Sequence, residues 1–174
     1  MIQSHEIVAA LVDGQICERS QIVGSSPQQI AALEQSAGAA LPLAYRHFLA
    51  AAGEDAPGFF TGTSFFRSQI GGLHAAANAL LEENGETVRL SADAFVFAMH
   101  QGYVFHYFLL SEGDDPPIYM YDEGNGPPAK LCDTYSEYLR DSIGWHVAMV
   151  EENRVQEAAG LQGAAAEPRS SGDG

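Results

Sequence analysis

The chain has 174 residues, which fits one domain with a full hydrophobic core, and its 46% hydrophobic and 18% charged residues are ordinary for a globular protein. Its 23 acidic and 8 basic residues leave a formal net charge of −15. A field of this sign repels phosphate backbones and anionic lipid, so nucleic-acid and membrane-surface binding are not expected. It attracts basic proteins, although the same charge also serves solubility, and composition leaves both interpretations open.

The cysteine content and the N-terminus indicate the compartment. Cys17 and Cys132 are the only cysteines, too few for a disulfide framework or a zinc site, as is typical of a reducing compartment. The first residues lack the basic start and apolar centre of a signal peptide, and no apolar run reaches membrane-spanning length. We therefore expect a soluble cytoplasmic protein.

The N-terminal part of the sequence predicts helices. Residues 1–25 are predicted to form a helical extension, with an amphipathic helix over 4–16. A capped helix follows, in which Ser26 is the cap, Pro27 occupies the first helical position and Gln29 completes a capping box.

Two further helices are predicted before residue 84. One opens at Leu41-Pro42 and ends at Gly53, and the other covers 68–83. The intervening segment, 54–67, is rich in Gly, Phe and Thr and is predicted to be irregular, with a short strand at Phe65-Phe66.

Residues 93–124 predict the sheet. Short aromatic and β-branched runs between Gly, Pro and Asp clusters are typical of an antiparallel meander, with strands near 94–100, 103–110 and 117–122. The first two runs are apolar on both faces, so we expect the sheet to be at least partly covered on two sides.

The last predicted elements are a strand over 130–133 and a helix that begins with a capping box of Thr134 and Glu137. The order of helices, then strands, then a helix predicts an α+β fold: an antiparallel β-sheet meander flanked by α-helices, in a single domain. We place that domain at 26–152 and predict a disordered Ala/Gly-rich tail over 153–174.

Six histidines suggest a metal site, but their positions do not favour one. If Gln101-Gly102 is a two-residue turn, His100 opposes Tyr103 and Phe97 opposes His106. The two histidines would then lie on opposite faces of the sheet and could not share an ion. We predict hydrogen-bonded structural histidines and no metal site.

The acidic turns and the nucleophilic residues do not predict chemistry either. Asp114-Asp115 and Asp122-Glu123 lack the spacing of a calcium loop. Neither cysteine neighbours a histidine, and the sequence has no Gly-x-Ser-x-Gly elbow and no glycine-rich phosphate loop that leads into a helix. We predict no catalytic residue, no cofactor and no enzymatic activity.

An ordered set of motifs runs through most of the chain. The motifs are Gln29-Ile30-x-x-Leu33-Glu34, Gly38-x-x-Leu41-Pro42-x-x-Tyr45-Arg46-x-Phe48-Leu49, Gly53, Asp93 to Tyr107, Asp115-Pro116-Pro117-Ile118-Tyr119 and Thr134-Tyr135-Ser136-Glu137-Tyr138-Leu139. Together they resemble the SUKH superfamily, and more closely its cell-wall-assembly-regulator (Smi/Knr-type) subgroup. The resemblance implies an α+β domain without common catalytic machinery. Bacterial members look like immunity proteins that bind and neutralise a cognate toxin, whereas fungal members act in cell-wall and signalling regulation.

The resemblance and the charge together predict a non-enzymatic protein-binding domain, an immunity protein for a basic toxin domain. The alternative is a regulatory or scaffolding module whose protein partner is not a toxin. In either case, acidic side chains would speed association and tyrosines would anchor the complex. The predicted partner-binding residues are Glu82, Glu83, Glu86, Glu112, Asp114, Asp115, Tyr119, Tyr121, Asp122 and Glu123.

Overall fold

The computed structural model describes the backbone of residues 1–165 and the side chains of residues 1–158. Within that part of the chain, the α-helices are α1 Ser4–Asp13, α2 Pro27–Ala37, α3 Leu43–Ala52, α4 Leu73–Glu83 and α5 Tyr135–Ala165. The strands are β1 Thr63–Ser64, β2 Ala94–His100, β3 Val104–Leu109, β4 Ile118–Asp122 and β5 Ala129–Cys132. This is the predicted α+β fold, and residues 166–174 of the predicted tail lie outside the described residues.

The predicted starts of α2 and α3 are confirmed. In α2, the Gln29 N–H donates to the Ser26 hydroxyl at 3.3 Å and the Ser26 N–H donates to the Gln29 side chain at 2.7 Å. Helix α3 buries Tyr45, Phe48 and Leu49 completely along one side. The spacing of these side chains, three and four residues apart, is what places them on one face of the helix.

The segment between α3 and α4 differs from its prediction in two places. The short strand lies at Thr63–Ser64, because the N–H groups of Phe65 and Phe66 both donate to the Gln69 side chain instead of a neighbouring strand. Helix α4 begins at Leu73, five residues after the predicted start. Gly72, with φ at 87°, adopts a left-handed conformation that interrupts a right-handed helix.

The sheet is an antiparallel meander in which β1 to β5 follow one another in chain order. Helices α3 and α5 cover one face, called here the α3–α5 face, where Tyr45 and Tyr135 both pack against Phe97 and Phe108. Helix α4 lies against β2 on the opposite face, called the α4 face. The two-sided coverage that the apolar strands predicted is confirmed.

Helix α5 starts as predicted and continues further than predicted. The Thr134 hydroxyl accepts the Glu137 N–H at 3.0 Å, while the Glu137 carboxylate accepts the Asp133 N–H at 3.0 Å. The helix reaches Ala165, past the predicted domain end at 152, and the side chains over 151–158 are all exposed. Alanine, glutamate and glutamine favour helix without tertiary contacts, which the predicted disorder did not take into account. Among the described residues, none of the helices combines the length and the hydropathy of a membrane span.

Candidate functional site

Two irregularities in the β2–β3 hairpin decide which side chains share a face of the sheet. Gln101 and Gly102 form the predicted turn, with φ at 47° and 86°, and the Tyr103 N–H donates to the His100 carbonyl at 3.1 Å. The ladder, however, begins one residue later, with His100 opposite Val104. A second shift, between positions 96 and 98, cancels the first, so the predicted register holds only for 94–96.

The predicted orientation of the histidines is therefore wrong. Ala98 lies opposite His106, and His100 is two residues beyond Ala98 on the same strand, so His100 and His106 point to the same α3–α5 face. A single extra residue, Tyr103, in the connection is enough to invert one side chain relative to the other.

Both histidines line an open groove of about 750 Å³ between the sheet and α5, which we call the β5–α5 groove. Its apolar walls are formed by Phe60, Val104, Met120, Leu131 and Trp145. Its remaining lining residues are Thr61, Thr63, His100, His106, Cys132, Tyr138, Asp141, Ser142 and His146. No sequence motif indicates this site, because all five strands and helix α5 contribute to it from distant positions.

Hydrogen bonds determine the tautomer of His146, and burial lowers the pKa of both His106 and His146. His146 accepts the Phe60 N–H on Nε2 at 2.9 Å, so its Nδ1 carries the proton and donates to the Ser142 carbonyl at 2.8 Å. Burial lowers the pKa of His146. Burial, followed by the nearby His100, lowers the pKa of His106 to about 4. Among the described residues, no group of three or more His, Cys, Asp or Glu side chains could hold a metal ion.

The predicted partner-binding residues fall into separate groups on the structure. In the first group, the Tyr119 hydroxyl donates to Glu112 at 2.9 Å, and the Tyr119 ring stacks on Tyr107 with centroids 5.2 Å apart. The hydrogen bond to Glu112 is the main cause that raises the pKa of Tyr119. Both rings are half-buried on the α4 face and Glu112 is exposed, so this group remains accessible. Tyr107 was not among the predicted site residues, although its position opposite Tyr119 follows from the register of β3 and β4.

The second group surrounds Tyr121, which is only 1% exposed. Its ring stacks on Phe105, and burial, followed by the charges of Glu86, Glu123 and Asp122, raises its pKa. Tyr121 is thus a core residue and not the predicted anchor. Glu82 and Glu83, at the end of α4, are exposed acidic side chains, as is Glu123.

Asp114 and Asp115 have different environments although they are adjacent in sequence. Asp115 accepts two hydrogen bonds from Ser136, one from its N–H at 2.9 Å and one from its hydroxyl at 2.7 Å. The Ser136 hydroxyl in turn accepts the Ile2 N–H at 2.8 Å. The Asp115 carboxylate therefore satisfies the first turn of α5, while the Asp114 side chain is exposed and only its carbonyl is used, by the Ala44 N–H.

A family model described as "SMI1-KNR4 cell-wall", named SUKH_6, matches residues 27–139. The match covers more than half of the chain and runs from α2 into α5, so it includes all five strands described above. The chain belongs to this SUKH family. No curated protein matches it. Four lining residues of the β5–α5 groove lie beyond the matched range, namely Asp141, Ser142, Trp145 and His146, and α1 lies before it.

In this SUKH domain, we expect Asp115→Ala to lower the free energy of unfolding by about 1–3 kcal/mol, because the N–H and hydroxyl of the buried Ser136 lose their acceptor. Asp114→Ala is the matched control and should change it by less than about 0.5 kcal/mol. Urea unfolding followed by circular dichroism measures both. Equal effects of the two substitutions would contradict the structural role of Asp115.

Proposed function

We propose that this SUKH-family chain is a non-enzymatic, cytoplasmic protein-binding domain, an immunity protein that binds a basic toxin domain and neutralises it in a stoichiometric complex. The observation that carries the proposal is the accessible Tyr107–Tyr119 stack beside Glu112, on a chain with a net charge of −15. Tyrosines are enriched at the centres of protein interfaces, where they contribute large contact areas with few rotatable bonds.

The arrangement of the α4 face supports this surface. Helix α4 contacts β2, and the tyrosine stack lies on β3 and β4, on the part of the face nearer the free edge at β5. The hydrogen bond from the Tyr119 hydroxyl to Glu112 holds the tyrosine in one orientation before any partner binds. This reduces the conformational entropy that is lost on binding.

The acidic residues contribute at longer range. Glu82, Glu83, Glu112, Asp114 and Glu123 are exposed, and Asp122 and Glu86 are partly so. We propose that their combined field steers a basic partner towards the domain, while the tyrosine stack sets how long the complex lasts. Asp115 and Tyr121 are excluded from this surface because their functional atoms are engaged or buried.

The test takes the product of the reading frame next to this chain's gene as the candidate toxin and measures association and dissociation rates at several salt concentrations. Glu112→Lys should slow association about fivefold at low salt and reduce its salt dependence, because it reverses a charge beside the anchor. Tyr119→Ala should speed dissociation about tenfold or more, since it removes an anchor.

Glu157→Lys is the control for that experiment, because it makes the same charge change at an exposed position on the distal part of α5. It should alter the rates much less than Glu112→Lys. If Glu112→Lys and Tyr119→Ala bind with the same rates as the unmodified chain and the Glu157→Lys control, the tyrosine stack is not the contact surface.

A second candidate function is a regulatory module with a protein partner that is not a toxin, which the "cell-wall" description of the family model favours. Co-expression distinguishes the two. An immunity protein rescues cells from one specific toxin, whereas a regulatory module rescues cells from none.

A further inference from the structure

We infer that the β5–α5 groove is a docking pocket for an aromatic side chain that lies next to a lysine or arginine on the basic protein partner. The inference rests on the proposed function for the existence of that partner, and it places a second contact on the opposite face of the sheet from the tyrosine stack.

The size and the walls of the groove fit one large side chain and its neighbour. Its volume of about 750 Å³ lies in the range of pockets that bury small ligands. Two of its lining residues, Trp145 and Leu131, are 60% and 46% exposed, which is unusual for such large apolar side chains. Exposed apolar residues on a shared concave surface mark a binding site more often than scattered ones do.

The charged side chains of the groove favour an occupant with a positive charge. Asp141 is its one carboxylate, and neither lysine nor arginine is among its lining residues. Asp141 and Trp145 are four residues apart on α5, so they are neighbours on the helix surface. A cation beside Trp145 would interact with both the carboxylate and the face of the indole ring. An anionic occupant would be repelled.

The floor of the groove has an unused polar atom. His106 Nδ1 is buried and makes no hydrogen bond within the described residues. Because Nδ1 is covered, the peptide group of an occupant would reach it only after the imidazole ring turns towards the groove. Buried polar atoms without partners are uncommon and are often satisfied by a ligand or by water.

Strand addition at β5 is a less favourable way to use this region. Strand β5 is the free edge of the sheet, but it has four residues, carries Lys130, has a register shift at Leu131 and follows Pro127-Pro128. These features all impede pairing with another strand. We therefore expect side-chain docking in the groove and not an extension of the sheet.

Trp145, the single tryptophan of the chain, reports directly on occupancy of the groove. The full chain is titrated with three capped dipeptides, Ac-Phe-Arg-NH₂, Ac-Phe-Glu-NH₂ and Ac-Ala-Arg-NH₂, with tryptophan excited selectively. We expect saturable changes in fluorescence with Ac-Phe-Arg-NH₂, at least about threefold weaker binding of Ac-Phe-Glu-NH₂ at low salt, and no saturation with Ac-Ala-Arg-NH₂.

Three variants test whether the fluorescence change arises from binding in the β5–α5 groove. Asp141→Asn should abolish the preference for Ac-Phe-Arg-NH₂ over Ac-Phe-Glu-NH₂, and Leu131→Ser should weaken both at least about threefold. Both positions are exposed, so the fold should be kept, and circular dichroism verifies it. Tyr119→Ala, on the opposite face, should leave the titration unchanged. Equal binding of the two phenylalanine peptides, or no response of Trp145, would overturn the inference.

Its failure is distinguishable from failure of the proposed function. If the dipeptides do not bind but the toxin domain still does, and Tyr119→Ala weakens that complex, the partner uses the α4 face alone and this inference is wrong. If the dipeptides bind as expected, the pocket exists whether or not the basic partner is a toxin.

Discussion

Replacing Tyr45 with alanine is expected to lower the free energy of unfolding by about 3–5 kcal/mol, the typical cost of truncating a fully buried aromatic side chain. Tyr45 is 0% exposed, and its ring lies within 6.1 Å, centroid to centroid, of five other rings from α3, the sheet and α5. No smaller side chain fills that position, because the partners belong to three separate elements that cannot all move inward. Chemical denaturation measures the change.

The hydroxyl of Tyr45 provides the matched control. It is buried without a hydrogen-bond partner among the described residues, and burial raises its pKa. Tyr45→Phe should therefore raise the free energy of unfolding by about 1 kcal/mol, because it removes an unsatisfied polar atom and keeps the ring. A destabilised Tyr45→Phe variant would show that the hydroxyl does have a hydrogen-bond partner.

Acidification from pH 7 to pH 5 is expected to cost about 2 kcal/mol of stability through His106. The pKa of His106 is about 4 in the folded chain and 6.5 for an unperturbed histidine, so the unfolded chain binds the proton first as the pH falls. The contribution is fully present above pH 6.5 and is lost as the pH approaches 4. Burial lowers the pKa of His146 too, which adds a loss of the same sign.

The variant His106→Gln separates the two histidines. It removes one titrating group, so the loss of stability between pH 7 and pH 5 should shrink by about 2 kcal/mol while the share of His146 remains. His5→Gln, which replaces an exposed histidine on α1 in the same way, is the reference variant against which the pH dependence of His106→Gln is compared. The free energy of unfolding of each variant is measured at pH 7 and at pH 5. If the difference between the two values is the same in His106→Gln as in the unmodified chain, the pH dependence arises from another group.

Local chemistry made most of the fold predictable. The cap at Ser26, the helical spacing of Tyr45, Phe48 and Leu49, and the aromatic runs after residue 93 each act over a few residues, and each formed the expected element. Helix α4 begins later than predicted because Gly72 adopts a left-handed conformation, whereas a glycine in the sequence fits either a helix interior or a cap.

Register and burial were not predictable in the same way. Tyr103, the extra residue in the hairpin connection, changed which histidines share a face, and alternation alone carried no sign of it. Tyr119 and Tyr121 are two residues apart on β4 and lie on the same face of the sheet, yet Tyr121 is 1% exposed and Tyr119 is half-buried. Their exposed fractions differ because different parts of the chain cover the sheet at the two positions, and the spacing of residues in the sequence does not show this.

Titration of the toxin's activity with the purified chain tests the central claim most directly. The product of the reading frame beside the gene serves as the candidate toxin, and its activity is measured at a concentration well above the dissociation constant of the proposed complex. We predict a linear fall to zero at one equivalent of chain, because in the proposed function each chain binds one toxin domain without turnover. Undiminished activity at several equivalents, or complete loss at a small fraction of one, would contradict neutralisation by a stoichiometric complex.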